Sequence, residues 1–476
     1  MLRVMKLSFH GAAKTVTGSK HLLTLENGKQ ILLDCGMFQG LGAKTHSLNS
    51  TFGFEPSNIT WLLLSHAHID HSGLIPKLVK EGFEGKILCT QATLELTEIL
   101  LLDGAQIQEH NAEDSRYEAL YTVEDVHKCL EYFRVVEYNQ IAVLCDEVSV
   151  LFTPTGHLVG SAAIHLVVKE NGKDTTISYS ADVGRARHPL LQPACDFPQA
   201  EYIILESTYG DKFHDVQSSN IDALLKWIKH TCLEKKGQLL IPAFSVGRTQ
   251  ELLFLLNQLE LEKRLPELNY YVDSPLSLRA TTVIKKFTND FNDRIKDILK
   301  IDDDPFVFKG LKYVELVEDS RRLVEYTEPC VIISASGTAD AGRVRHHIRD
   351  LVSNSNNTIL FSGYCGEESL GGQMLAGAKQ VELFDKTFNV RAEIGQLTGL
   401  SAHGDCDDLC NFLNCQDPNQ VRSVFLVHGE NKVQEALAAR LNRKGFYPVH
   451  IPSMHEEFPL NRARQQEPPA ELKQTG

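Results

Sequence analysis

Ser65-His66-Ala67-His68-Ile69-Asp70-His71-Ser72-Gly73 is the stretch whose reading decides the fold. Four potential metal ligands, His66, His68, Asp70 and His71, fall within six residues. The apolar run 59–64 ahead of it reads as a buried strand, and the amphipathic run 74–81 behind Gly73 reads as a helix. The ligands therefore leave a strand end on a loop, where a rigid scaffold aims several side chains at one point. Neutral imidazole suits zinc, and a carboxylate can bind or bridge a second cation. A chance histidine-rich surface loop would not combine this spacing with a strand-loop-helix setting.

The chain has 476 residues, enough for two domains with full cores. Its 42% hydrophobic and 23% charged residues are ordinary for a globular protein. No apolar run approaches the ~18 residues of a membrane span, and Ser8 and His10 interrupt any signal-peptide core. The expectation is a cytoplasmic protein with no membrane association. The 11 cysteines form no C-x-x-C pair and read as free thiols. A net charge of −14 argues against a generally basic nucleic-acid binder, but bound divalent cations would reverse the sign locally.

Strand ends carry further candidates. Asn27-Gly28 marks a hairpin between 22–25 and 30–33, and the second strand ends at Asp34. Asp34 is either a turn residue or an orienting carboxylate. Strand 148–152 runs into Thr155-Gly156-His157, where a lone histidine is either structural or a ligand. A second hairpin about Asn171-Gly172 ends at Asp182, and strand 202–205 delivers Glu206. Helices are expected over 92–111 and over 123–136, with Thr122 as N-cap. From about 211 strands alternate with helices, which implies a mostly parallel sheet. Near 390 the first pattern returns. Strand 390–397 leads to Ser401-Ala402-His403-Gly404-Asp405, and strand 423–427 leads to His428-Gly429-Glu430. The tail from 461 is polar and expected to be disordered.

The H-x-H-x-D-H motif resembles that of the metallo-β-lactamase superfamily. The resemblance gives Asp34 a ligand-orienting role, and 155–162 resembles the superfamily's third motif, which makes His157 a ligand. Counting candidates then gives two zinc ions (Zn2+) per chain. His66, His68 and His157 would hold one, Asp70, His71 and His428 the other, and Asp182 would bridge them.

Together with Leu205-Glu206-Ser207-Thr208-Tyr209-Gly210 and the strings at 401–405 and 427–430, the motif set resembles the β-CASP ribonucleases over about residues 5–455. The resemblance implies an α/β protein. A metallo-β-lactamase αββα sandwich (1–209 and 389–460) would carry an inserted β-CASP domain (210–388). It makes Glu206 and His403 a catalytic pair, expected to act away from the metals, and the carboxylate of Asp70 in the ligand motif can also orient the attacking water. Single-stranded RNA would thread a cleft between the domains, contacted by Ser401, Arg248, Ser336 and Gly337. The segment Thr338-Ala339-Asp340-Ala341-Gly342 departs from the apolar residue and paired glycines usual after Ser-Gly, and places an acid there. The expected activity is zinc-dependent hydrolysis of RNA phosphodiesters. The alternative is a small-molecule hydrolase of the thioesterase or lactonase type. A homodimer is an open option.

Overall fold

The computed structural model describes residues 4–42, 44–114, 118–214, 220–363 and 365–460. The tail expected to be disordered, 461–476, lies outside the described residues. Among the described residues, those up to Phe213 and from His403 onward form one compact unit, and those within His214–Ala402 form the other.

The first unit is built on two sheets, each of seven strands among the described residues. In spatial order the first is Glu457–Pro459, Lys6–Phe9, His21–Thr24, Gln30–Leu33, Ile59–Leu63, Lys86–Cys89 and Phe133–Val135. The second is Val449–His450, Ser423–Val427, Tyr202–Glu206, Lys173–Tyr179, Ala162–Glu170, Val148–Pro154 and Ile141–Cys145.

Central strands read as continuous apolar runs because both faces are covered. Ile31 and Leu33 point into the core between the sheets, while Leu32 packs outward with Leu78, Leu101 and Val126 of three helices. Across the sandwich, Tyr202 and Ile204 face the same inner core, while Ile203 and Leu205 pack with Leu409, Leu437 and Leu441. The layers are therefore helix, sheet, sheet, helix. Each fully buried aliphatic side chain of this core contributes about 1.5–3 kcal/mol.

The second unit carries six parallel strands, in the order Leu311–Tyr313, Asn269–Asp273, Cys330–Ser334, Leu239–Pro242, Thr358–Phe361 and Glu393–Gln396. Leu240, Ile332 and Ile359 share a core with Val344 and Ile348 of helix Val344–Leu351.

Two expectations need correction. The helix from Val123 opens on the Thr122 capping box, but stops at Leu130. Phe133–Val135 instead pairs with Ile87–Cys89, as β-branched and aromatic residues favour once an open strand edge is available. The segment from 389 does not yet return to the sandwich. Glu393–Gln396 pairs in parallel with Thr358–Phe361, and Ile394 packs against the α/β core. Apolar alternation marks a strand but does not say which sheet receives it.

Candidate metal centre

Parallel pairing places the strand ends that carry the candidates side by side. Gln30–Leu33 pairs in parallel with Ile59–Leu63, so Asp34 lies beside Ser65. Lys173–Tyr179, Tyr202–Glu206 and Ser423–Val427 are parallel to one another, which brings Asp182, Glu206 and His428 to one edge. Asp34 and His428 both take left-handed backbone (φ 59° and 53°), as does Ala181 before Asp182. Such conformations are uncommon outside glycine and turn the chain sharply at the strand end.

The seven expected ligands converge. His66 Nε2 is 3.1 Å from His68 Nδ1, and His68 Nδ1 is 3.2 Å from His157 Nε2. His71 Nε2 is 3.2 Å from His428 Nε2, which is 3.3 Å from Asp70 Oδ2. Asp182 stands between the two sets. Its Oδ2 lies 3.3 Å from His157 and 3.5 Å from His66, while its Oδ1 lies 3.2 Å from His71 and 3.6 Å from His428.

This arrangement fits cations better than it fits itself. Burial pushes the imidazoles of His66, His68 and His157 down, so they are neutral. Neutral ring nitrogens 3.1–3.2 Å apart point at one another, and Asp182 Oδ1 is buried without accepting a hydrogen bond. His71 is also buried, which lowers its affinity for a proton, but Asp182 and Asp34 outweigh that and raise it well above the usual value. A cation at Nε2 would take the place of that proton. The donor set of imidazoles and carboxylates is the kind zinc accepts.

Asp34 touches none of the convergent nitrogens at the centre and instead holds their supports. Oδ2 accepts from His71 Nδ1 at 2.7 Å, Ser65 Oγ at 2.7 Å and Tyr179 Oη at 2.8 Å, and Oδ1 accepts from the Ser65 amide at 2.7 Å. Ser65 Oγ in turn lies 3.0 Å from His66 Nδ1. One carboxylate thereby orients a ring in each set. Thr208 does the same for His428, with Oγ1 2.9 Å from Nδ1. Sequence reading passed over Ser65, Tyr179 and Thr208. Ser65 and Thr208 stood inside quoted motifs, whereas Tyr179 gives no local signal.

Glu206 is fully buried, and Oε1 accepts from the Val183 amide at 2.7 Å and lies 3.2 Å from His403 Nδ1. Burial lowers the affinity of His403 for a proton, but Glu206 and then Asp182 more than offset it, so its pKa rises to about 9. The pair was expected away from the metals. His403 Nδ1 is in fact 3.9 Å from Asp182, and its ring centre is 4.6 Å from that of His157.

The expected substrate contacts all belong to the second unit and fare less evenly. Arg248 is buried, and its guanidinium is engaged by Glu251 one turn along the same helix. It is a structural ion pair rather than an open phosphate contact. Ser336 Oγ lies 3.4 Å from the Ala341 amide, which it accepts from, and Gly337 packs under Phe244, whose ring a Cβ would meet at 2.9 Å. Ser401 closes the short turn Thr398–Leu400. The unexpected acid, Asp340, caps the Leu370 amide at 2.9 Å.

Comparison with known proteins adds an independent line. Residues 22–201 match the metallo-beta-lactamase superfamily domain, 249–374 the Beta-Casp domain, and 387–452 the Zn-dependent metallo-hydrolase RNA specificity domain. Ribonuclease TTHA0252 of Thermus thermophilus is 34% identical over 442 residues, covering 93% of this chain and 97% of its own. An RNase J-like protein of Methanocaldococcus jannaschii is 28% identical, covering 95% and 99%. Transcription termination factor FttA of Cenarchaeum symbiosum is 27% identical, covering 92% of this chain and 68% of its own. A crystal structure of a protein of unknown function from Enterococcus faecalis shares the fold, with a TM-score of 0.52 at 13% identity over 96% of this chain and 100% of that one.

Proposed function

The chain belongs to the β-CASP family of metallo-β-lactamase-fold ribonucleases, and on that premise we propose that it is a cytoplasmic two-zinc enzyme that hydrolyses single-stranded RNA. The observation that carries the two-ion reading is the division of the Asp182 oxygens, one toward His66 and His157, the other toward His71 and His428. His66, His68 and His157 would hold one zinc ion, Asp70, His71 and His428 the second, with Asp182 shared. When bound, two such ions lower the pKa of a water and neutralise charge on a phosphodiester.

The chain's own residues supply the rest. Asp70 is partly exposed and can take a proton from the attacking water. Glu206 holds a proton on His403 Nδ1 and fixes the ring, which leaves the second proton of the imidazolium on Nε2. His403, one-fifth exposed, then hydrogen-bonds the scissile phosphate and gives that single proton to the departing oxygen, while the proton of the attacking water goes to Asp70. No helix among the described residues is long and apolar enough to cross a membrane.

Elemental analysis with zinc titration tests the metal count. The wild type should hold two zinc ions per chain, and Asp182→Asn should hold fewer than one, because both sites lose a ligand. A wild type with at most one ion and no second site on titration would overturn the reading.

A further inference from the structure

Lys20 is fully buried, and its ammonium is spent on backbone. Nζ donates to the carbonyl oxygens of Gly18 at 2.9 Å and Gly36 at 2.7 Å, and lies 4.3 Å from the centre of the Phe38 ring. Burial pushes its pKa down to about 7. Taking an ammonium out of water is unfavourable, and a methionine would fill similar space without that cost. The placement therefore points to something the two hydrogen bonds achieve.

They join two loops, Gly11–Ser19 and Cys35–Phe38. The first loop accepts the His428 amide at Ala12 O (2.7 Å) and the Gly429 amide at Thr15 O (3.1 Å), and its Ser19 amide donates to Asp70 O at 2.9 Å. In the second loop the Cys35 amide donates to His71 O at 2.7 Å, and the Met37 amide to Ile69 O at 2.9 Å. The loops also meet directly, Gly36 N donating to Ser19 O at 2.9 Å. The approach is tight. A Cβ on Gly36 would stand 1.6 Å from Asp70 O, and one on Gly11 would stand 1.7 Å from Gly18 O.

The residues gripped in this way are Asp70, His71 and His428, which form one ligand set. His157 hangs from a separate support, its amide donating to Ser161 Oγ at 3.2 Å. We infer that Lys20 is a positioning residue for one metal ion of the two: it clamps the loops that set the backbone of Asp70, His71 and His428. The inference rests on the two-ion reading above.

The test titrates zinc into metal-stripped wild type, Lys20→Met and Lys20→Gln, with circular dichroism to establish folding. Two ions on the wild type are the premise, and a single ion would count against the two-ion reading instead. In the Lys20 variants one ion should bind as in the wild type. The other should weaken by about 10–100-fold, the usual effect of losing a ligand's support. The weakened ion should be the one that Asp70→Asn also weakens, not the one that His68→Ala weakens. Hydrogen exchange should quicken at the amides of Ser19, Cys35 and His428. Equal weakening of both ions, or no change in a folded variant, would overturn the proposal. Failure of both variants to fold would overturn it too, because Lys20 would then be holding the sandwich rather than one ion set.

Discussion

Glu206 Oε1 sits 3.2 Å from His403 Nδ1, and Glu206 is fully buried beneath the partly exposed ring. The carboxylate can reach substrate only through the histidine. The two should therefore fail as one unit. His403→Ala should lower kcat by about 10²–10⁴, the range for a positioned acid. Glu206→Gln should approach that loss, and the double variant should cost little more than the worse single one. Zinc content should be unchanged in all three. A double variant whose loss equals the product of the single losses would separate the residues.

The same contact should set the alkaline side of the pH profile. His403 has its pKa raised to about 9, so it carries its proton at neutral pH and loses it as the pH climbs through that value. Cations held beside Asp182 would offset part of this rise, so kcat should fall at or below about pH 9. Glu206→Gln removes the leading cause of the rise and should move this limb toward neutral pH. An unshifted limb in a variant with residual activity would place the acid elsewhere.

Asp34 holds His71 directly and His66 through Ser65. Asp34→Asn keeps the shape but points an amide hydrogen at groups that need an acceptor. Zinc affinity should fall by about 10–100-fold at both sites, while the circular dichroism spectrum keeps its folded form. Unchanged zinc affinity would show that the rings hold their orientation without it.

Much of this site was legible because strand ends announce themselves. Each of Asp34, His66, His157, Asp182, Glu206 and His428 ends a strand or follows one within three residues, and the parallel registers then carry Asp34, Asp182, Glu206 and His428 to one edge. What was hidden depends on side-chain contacts that only the folded chain shows. Tyr179 looks like a strand residue until its hydroxyl meets Asp34, and Arg248 looks like a helix-start arginine open to phosphate until Glu251 takes it. The strand Phe133–Val135 was hidden for a similar reason: its partner, Ile87–Cys89, lies over forty residues away, beyond any local pattern.

The charge of −14 bears on how substrate is held. With so few net cations to offer, phosphate contacts should be few and local. Affinity for single-stranded RNA should fall with salt at roughly −0.7 per phosphate neutralised, and the total slope should be shallow. A steep slope in a filter-binding series would indicate diffuse electrostatic grip instead.

The most direct measurement compares turnover of single-stranded RNA, matched single-stranded DNA, a generic phosphodiester and a thioester by the zinc-loaded enzyme, each repeated with Asp182→Asn. The account predicts cleavage of RNA, an inert thioester, and loss of cleavage in the variant. Efficient thioester turnover beside intact RNA would contradict it.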